Sequence, residues 1–484
     1  MQRLALFLLL FLTTSTLSYG QTARSAHWYF GHKAGIDFSS GTPAADTNGK
    51  IVSIEGSCSI SDLSGNLLFY SDGTEIRNRE HTIMPNGSGI DGNQSAIQGC
   101  IIIPIPAHPD SYYLFSTSVS GTVSYSKIDM TLDGGLGDVT TQNNNLLMEH
   151  SSEAIAATIH CNQTNYWVIV REIDGTTLKF RAYEISASGI AAPVTSSFPL
   201  PGVSTDPVAS ITFTETGNVM SYSALNFSPV YLFDFDQQTG QLSFKDSIVL
   251  HENEMTYSIA FSGSETKLYA SLWDQHYCRI SQFDLNATDI AASRVNLDSV
   301  YFGNGSPNGY GFIGQIRLAP THQLLISRWT QNNLYIVNAE TPYSLDSLDV
   351  IHNPDLAGYA AGYQRNYLYL NHRPTMLGLP NFVSTFTGEV DPDFHCPPST
   401  ASLRENGLEG IEIYPNPVKT VLTIGNASFQ QLEIELLDNT GKHIQSVTSS
   451  DKAIGMDMIE RSTGMYFVRI TTNEITETFR IVKQ

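Results

Sequence analysis

A loose unit recurs along residues 28–386, and it limits the folds open to this chain more than any other feature. Each unit opens with small residues and an apolar run, turns, and continues as an aliphatic and aromatic run. An alternating run that ends in another turn completes it. The first two parts read SCSISDLSGNLLFYSDG from Ser57, CIIIPIPAHPDSYYLFSTS from Cys100 and AATIHCNQTNYWVIV from Ala156. They return as ASITFTETGNVMSYS from Ala209, SIAFSGSETKLYASL from Ser258 and GQIRLAPTHQLLISR from Gly314. The third part recurs as YSKIDMTLDGGLGDV, RAYEISASGIAAPV, LFDFDQQTGQLSF and SQFDLNATDIAAS. No unit carries a helical period, so each part reads as strand, Gly/Asp/Asn turn and strand. One such unit of about 40–60 residues cannot bury both of its faces alone, whereas units stacked around an axis can. The expected fold is therefore all-β, with residues 27–387 forming a β-propeller.

Inner strands begin near Ser57, Gly99, Ala156, Ala209, Ser258 and Gly314, and a shorter seventh candidate is Leu377-Gly378-Leu379-Pro380-Asn381-Phe382-Val383. The seventh lacks a following outer pair. The N-terminal region supplies one in Trp28-Tyr29-Phe30-Gly31 and Gly35-Ile36-Asp37-Phe38-Ser39-Ser40-Gly41. A circular array has to hide its last edge, because an open edge invites aggregation. Closure by the N-terminal strands and seven blades are expected, with six or eight compatible with the same spacing. WYFG at Trp28, the SDLSGNLLFYSDG hairpin from Ser61, Met84-Pro85-Asn86-Gly87 and GLPNF from Gly378 resemble a propeller family common in secreted Bacteroidetes proteins. That resemblance covers residues 27–385 and speaks to architecture, not activity.

Residues 388–410 shift to Gly, Asp, Pro, Ser and Asn, a linker composition. Beyond them, residues 411–484 read as short strands at 418–425, 431–437, 444–448, 465–471 and 476–482, the pattern of a small immunoglobulin-like sandwich. Tyr414-Pro415-Asn416-Pro417, the LLDNTG turn ending at Gly441, Gly464-Met465-Tyr466-Phe467 and the basic Lys483 resemble the type A C-terminal sorting domain of the type IX secretion system. The resemblance implies two partners, the secretion translocon and a surface peptidase. It implies a cut in the linker before Tyr414 and a product released outside the cell or held at the outer-membrane surface.

The other end agrees with export. Arg3 precedes an apolar run from Leu4 to Leu12, and Ser18-Tyr19-Gly20 places small residues before Gln21. This reads as a signal peptide over residues 1–20 cleaved between Gly20 and Gln21. The run is shorter than the roughly 20 residues needed to span a bilayer, and no transmembrane segment is expected in the mature chain. The net charge of −21, with no Lys/Arg cluster, argues against nucleic acid as a partner. Cys58, Cys100, Cys161, Cys278 and Cys396 show no metal-ligand spacing. An odd count leaves at least one unpaired, and the expectation is that most are small buried hydrophobes.

No nucleophile or metalloprotease motif occurs, so no catalytic residue is assigned. The candidate site is positional. Glu55, Glu153, Asp206 and Glu254 stand just upstream of four inner strands, where a propeller gathers its ligand-binding loops. Other units offer Gln94 or Gln98, Asn308 and Arg373 at that place. Four converging carboxylates suit a basic ligand group or a hard cation such as calcium. Without a ligand they are solvated loop acids of an acidic protein. No cofactor is implied otherwise. Tyr257, Tyr310 and Tyr363 fall near the same loops and suit stacking on a glycan, whereas Tyr112, Tyr113, Tyr166, Trp167, Tyr269 and Trp273 are expected to pack between blades. The reading is a secreted or surface-bound propeller that binds a protein or glycan. The alternative is an extracellular polysaccharide hydrolase or lyase using the mouth carboxylates.

Overall fold

The computed structural model describes residues 21–118, 120–147, 151–175, 177–200, 203–226, 228–301, 312–329, 345–387, 396, 411–426, 431–438, 442–472 and 476–483. The expected signal peptide with Gly20, the linker apart from Cys396, Asn308, Tyr310 and Gly441 lie outside them. The chain divides into two compact units, Met1–Cys396 and Pro397–Gln484.

In the first unit, antiparallel sheets follow one another along the chain as propeller blades. Blade 1 runs Ser57–Ser61, Leu67–Ser71, Glu75–Asn78 and Ile83–Ser88 from inside to outside, and blade 2 runs Cys100–Ile105, His108–Thr117, Val123–Asp129 and Asp138–Leu147. Blade 3 has Ser151–Ile159, Tyr166–Asp174 and Thr177–Ser186, with Gly189–Ile190 and Val194–Phe198 both paired to the third strand. Blade 4 is Ala209–Phe213, Val219–Ala224, Val230–Phe235 and Leu242–Ile248. Blade 5 is Met255–Phe261, Lys267–Trp273, Tyr277–Asp284 and Val295–Tyr301. Blade 6 is Phe312–Leu318, Leu324–Trp329, Ser347–Ile351 and Tyr363–Tyr369. His27–Phe30, Ala34–Asp37 and Ala44–Ala45 make a three-stranded seventh sheet.

The repeat has a local physical basis. After each of five inner strands the chain reverses through a turn whose fourth residue takes a left-handed conformation. In blade 1 the N–H of Gly65, with φ +85°, donates to the carbonyl of Asp62, and the Asp62 carboxylate accepts from the N–H groups of Ser64 and Asn66. Gln163, Gly217, Glu265 and His322 hold the matching positions with φ between 58° and 78°. The flanking strands pack their apolar residues between blades, as Phe69, Leu114, Val168, Phe233 and Leu268 do, all fully enclosed. That burial, at about 25 cal/mol per Å² of apolar surface, is what holds one sheet against the next.

N-terminal strands close the ring. The Ser59 hydroxyl donates to the His27 carbonyl at 2.6 Å, and the His32 N–H donates to the Pro374 carbonyl at 2.9 Å. Trp28, fully buried, packs its ring against Phe38 and Phe382 with centroids 5.1 and 5.7 Å away. One detail differs from the expected pairing. Pro380–Asn381 lies parallel to the inner strand of blade 1, with Pro380 opposite Ser57, and not in the sheet of His27–Phe30. Gly378 permits this approach, because a Cβ there would sit 1.3 Å from the Glu55 carbonyl oxygen.

The inner strands present their free edges to the central channel, and three amide side chains satisfy edge groups across it. Gln98 exchanges both hydrogen bonds with the backbone of Ile211 at 2.8 and 2.7 Å, joining blade 2 to blade 4. Gln315 donates to the Ile97 carbonyl and accepts from the Leu379 N–H at 2.8 Å. Asn381 donates to the carbonyls of Ile155 at 2.7 Å and Cys100 at 3.2 Å. An amide carries both a donor and an acceptor, which is what an open strand edge requires. Cys161 and Cys396 form a disulfide across 235 residues of sequence, tying the chain after the last blade to the turn of blade 3. Cys58, Cys100 and Cys278 are buried free thiols.

The second unit is a sandwich. One sheet contains Ile411–Tyr414, Val421–Asn426 and Ala453–Asp457; the other orders His443–Ser449, Leu432–Leu437, Gly464–Thr471 and Thr476–Lys483. Leu422, Ile424, Ile434, Leu436, Met456, Val468 and Ile470 alternate inward and are fully buried between the two sheets.

Candidate functional site

Every inner strand starts at the same end of the channel, so residues just ahead of the strands meet at one mouth. Glu55 precedes blade 1 and is 9% exposed. Its Oε1 accepts from the Tyr257 hydroxyl at 2.8 Å and its Oε2 from the Ser95 hydroxyl at 3.0 Å. Burial raises its pKa, and the two hydrogen bonds pull it back in part. Glu153 lies within the first strand of blade 3, where the ladder is irregular between Ser151 and Ile155. Its Oε2 faces the N–H of Ile97 at 3.4 Å. Burial, then the nearby Glu55 and Asp206 carboxylates, push its pKa up to about 7. Two of the other predicted acids, Glu55 and Asp206, therefore act on Glu153 at the mouth.

Glu254 departs from the expected ring. Its carboxylate is 5% exposed and receives Arg294 Nη1 at 2.6 Å, Arg294 Nη2 at 2.9 Å and Arg279 Nη1 at 3.3 Å. Both arginines belong to the outer part of blade 5, so the acid is neutralised on the blade's flank. An inward carboxylate there would have taken from Arg294 its carboxylate partner and left Arg279 with Asp274 alone, a larger cost. Among the described residues, the mouth acids do not form a group whose ligand oxygens all lie within 4.8 Å of one another, the spacing a single calcium would need. Gln94 donates to Asp72 and Thr74, and Gln98 serves the channel edge.

The aromatics also sort differently from expectation. Tyr257 is 2% exposed, and Tyr363 is held by Asp298, Asp349 and Arg328 between blades. The accessible platform is made by residues that sequence reasoning assigned elsewhere or passed over. Trp273 stacks on Tyr257 with centroids 4.5 Å apart and rings 6° from parallel. Phe312 follows at 5.0 Å and Trp329 at 5.6 Å from Phe312. Trp273, Phe312 and Trp329 are each half-buried, and Ile97, Leu377, Val208 and Leu225 complete the apolar wall. The Trp273 indole donates to the Ile313 carbonyl at 2.8 Å, whereas Trp329 Nε1 has no hydrogen-bond partner among the described residues. A signal was present in the repeat: SLWDQ from Ser271 and SRWTQ from Ser327 place the two tryptophans at the same end of equivalent second strands.

The mouth thus offers an aromatic row over blades 5 and 6 and carboxyl groups over blades 1, 3 and 4. Half-buried flat rings accept the apolar face of a flat or puckered ring. A carboxyl near its pKa at neutral pH both donates and accepts hydrogen bonds.

In the sandwich, the expected sorting-signal residues share one end. The Asn416 Oδ1 accepts from the Val482 N–H at 2.9 Å, and the Val418 N–H donates to the Val482 carbonyl at 2.8 Å. Gly464 pairs with Lys483, Met465 with Val482 and Tyr466 with Ile481. Tyr414 and Met465 are 48% and 44% exposed there. The peptides before Pro415 and Pro417 are cis.

Residues 412–484 match the family described as the secretion system C-terminal sorting domain. The chain carries a type IX sorting signal and is directed to the cell surface or the extracellular space. No curated protein sequence matches the chain. Among solved structures, it is similar to PorZ, described as an essential bacterial surface component of the type-IX secretion system of Porphyromonas gingivalis. That match has 12% identity and a TM-score of 0.35 over 94% of this chain and 59% of PorZ. The chain therefore spans less than two thirds of PorZ's length. It is also similar to a putative 6-phosphogluconolactonase from Bacteroides uniformis, with 11% identity, a TM-score of 0.45 and coverage of 72% and 97% of the two chains. A third is the periplasmic gluconolactonase of Pseudomonas aeruginosa, with 10% identity, a TM-score of 0.38 and coverage of 80% and 97%. Among the described residues no helix is long and apolar enough to cross a membrane.

Proposed function

We propose that the propeller is a binding module for an extracellular glycan, held at the channel mouth and carried outside the cell by the sorting domain. The observation that carries this reading is the row Tyr257, Trp273, Phe312 and Trp329 beside the carboxyl groups of Glu55 and Glu153. Sugar rings have apolar faces and hydroxyl edges, and this mouth has partners for both. The translocon and the surface peptidase are the proposed partners of the sandwich, with signal cleavage after Gly20 preceding export.

A glycan array probed with the secreted protein tests the binding. Trp273→Ala should abolish capture of any glycan bound by the wild type, while Tyr359→Ala, on an exposed loop of blade 6, should leave it intact. Equal capture by both variants would remove the mouth from consideration. A second reading rests on Glu153, whose raised pKa suits a general acid. Turnover of a polysaccharide that is lost in Glu153→Gln would establish a hydrolase or lyase instead.

A further inference from the structure

The seam of the ring holds a second cysteine pair, apart from Cys161 and Cys396. Cys58 lies in the inner strand of blade 1, Cys100 opens the inner strand of blade 2, and both are fully buried. Several contacts bring them together. Cys58 is paired with Ser71 across its own sheet, and the Cys100 thiol reaches the Ser71 carbonyl at 3.8 Å. On its other side Cys58 is the ladder partner of Asn381, whose amide donates to the Cys100 carbonyl at 3.2 Å. The two thiols hydrogen-bond each other. Glycines ahead of the two cysteines allow the approach: a Cβ on Gly56 would stand 2.9 Å from the backbone nitrogen of Gly99.

Most of the chemistry open to a cysteine pair is closed to this one. Burial, then the neighbouring Cys100 thiol and the Asp72 carboxylate, push the Cys58 pKa well up. A nucleophile or a metal ligand needs the thiolate, which is disfavoured here. Among the described residues, the pair belongs to no group of three His, Cys, Asp or Glu ligand atoms within 4.8 Å of one another. A disulfide carries neither charge nor proton, so burial does not oppose it. The same unit already holds one disulfide, and the sorting domain sends the chain out of the cell, where such bonds persist.

We propose that Cys58 and Cys100 are joined by a disulfide in the exported protein, and that the structure shows their reduced form. The bond forms by exchange with a disulfide oxidant, a protein or a small molecule, before folding encloses the sulfurs. One cysteine thiolate attacks the oxidant and expels one of its sulfurs as a thiolate. The second cysteine attacks the resulting mixed disulfide, and the oxidant leaves with both sulfurs reduced. The two cysteine protons pass to solvent or to the leaving thiolates. The loop so closed is blade 1 itself, from its inner strand to the start of blade 2. Together with Cys161–Cys396, the bond places covalent ties both at the closing strand Pro380–Asn381 and beyond it in the chain. Cys278 is left as the odd thiol.

Thiol mapping of the exported chain tests the bond. The protein is denatured without reductant in the presence of an alkylating reagent, digested and analysed by mass spectrometry. Cys278 alone should carry the alkyl group. The peptides of Cys58 and Cys100 should be recovered as one cross-linked species that separates on reduction. In Cys100→Ala the number of alkylated cysteines should rise from one to two, because Cys58 loses its partner. Were both thiols free in the wild type, the same substitution would lower the number from three to two. The wild-type map stands without the variant. Recovery of Cys58 and Cys100 as alkylated thiols, a fall in the count for Cys100→Ala, or a wild-type cross-link from Cys58 to any cysteine but Cys100 would overturn the proposal.

Discussion

Replacing Glu153 by Gln probes the electrostatics of the mouth with almost no change of shape. In the folded protein burial, followed by Glu55 and Asp206, raises the Glu153 pKa to about 7 from 4.5. Between those two values the native state holds one more proton than the unfolded chain. The folded pKa is the higher one, so the stability linked to this group is full below 4.5 and is lost as pH rises through 7. The slope reaches about −1.4 kcal/mol per pH unit, and the whole interval is worth about 3 kcal/mol. Residual exposure of the carboxyl to water makes about 2 kcal/mol a sound expectation. Glu153→Gln should match the wild type near pH 4 and exceed its stability by about 2 kcal/mol at pH 8. Guanidinium unfolding followed by tryptophan fluorescence is the assay. All four tryptophans, Trp28, Trp167, Trp273 and Trp329, belong to the propeller unit, so the signal excludes the sandwich. Parallel stability–pH curves for the two proteins would refute the reasoning, because they would mean that Glu153 is ionised and well solvated in the native state.

Other perturbations have equally definite outcomes. Arg294→Ala leaves Glu254 enclosed with the longer Arg279 contact and the His251 N–H at 3.2 Å and should cost about 3–5 kcal/mol in the same unfolding assay. Gly378→Ala places a methyl group on the Glu55 carbonyl; it should cost roughly 3 kcal/mol or more and lower the secreted yield. Replacing Cys161 and Cys396 together by Ser frees a 235-residue loop and should cost about 2–5 kcal/mol, measured against wild type under non-reducing conditions. Removing residues 411–484 should leave the propeller in the periplasm, read by fractionation and surface proteolysis.

Much of the architecture was legible because its determinants are local. Period-two apolar runs and Gly, Asp and Asn turns specify strands and hairpins one at a time, and their recurrence specifies a ring. The turn after Ser61 is written in Asp62 and Gly65 themselves. The candidate site was legible only in part. Position in the repeat put four acids near one mouth, yet side-chain direction at a strand end depends on bulges and on neighbours far away in sequence. Glu153 sits in such an irregularity, and a bulge between Thr256 and Ser258 follows Glu254. Arg279 and Arg294, which capture Glu254, give no sign of that role in the sequence.

The sequence by itself determined that this is an exported chain with a ring of β-sheets closed by its N-terminal strands and a sorting sandwich behind it. Each of those properties is carried by short segments that do not consult the rest of the molecule. Tertiary structure alone decided that Cys161 pairs with Cys396 and that Gln98 spans to Ile211. It also decided that Trp273, Phe312 and Trp329 form one platform. These are relations between residues dozens to hundreds of positions apart, and they exist only once packing has chosen which faces, edges and strand ends meet.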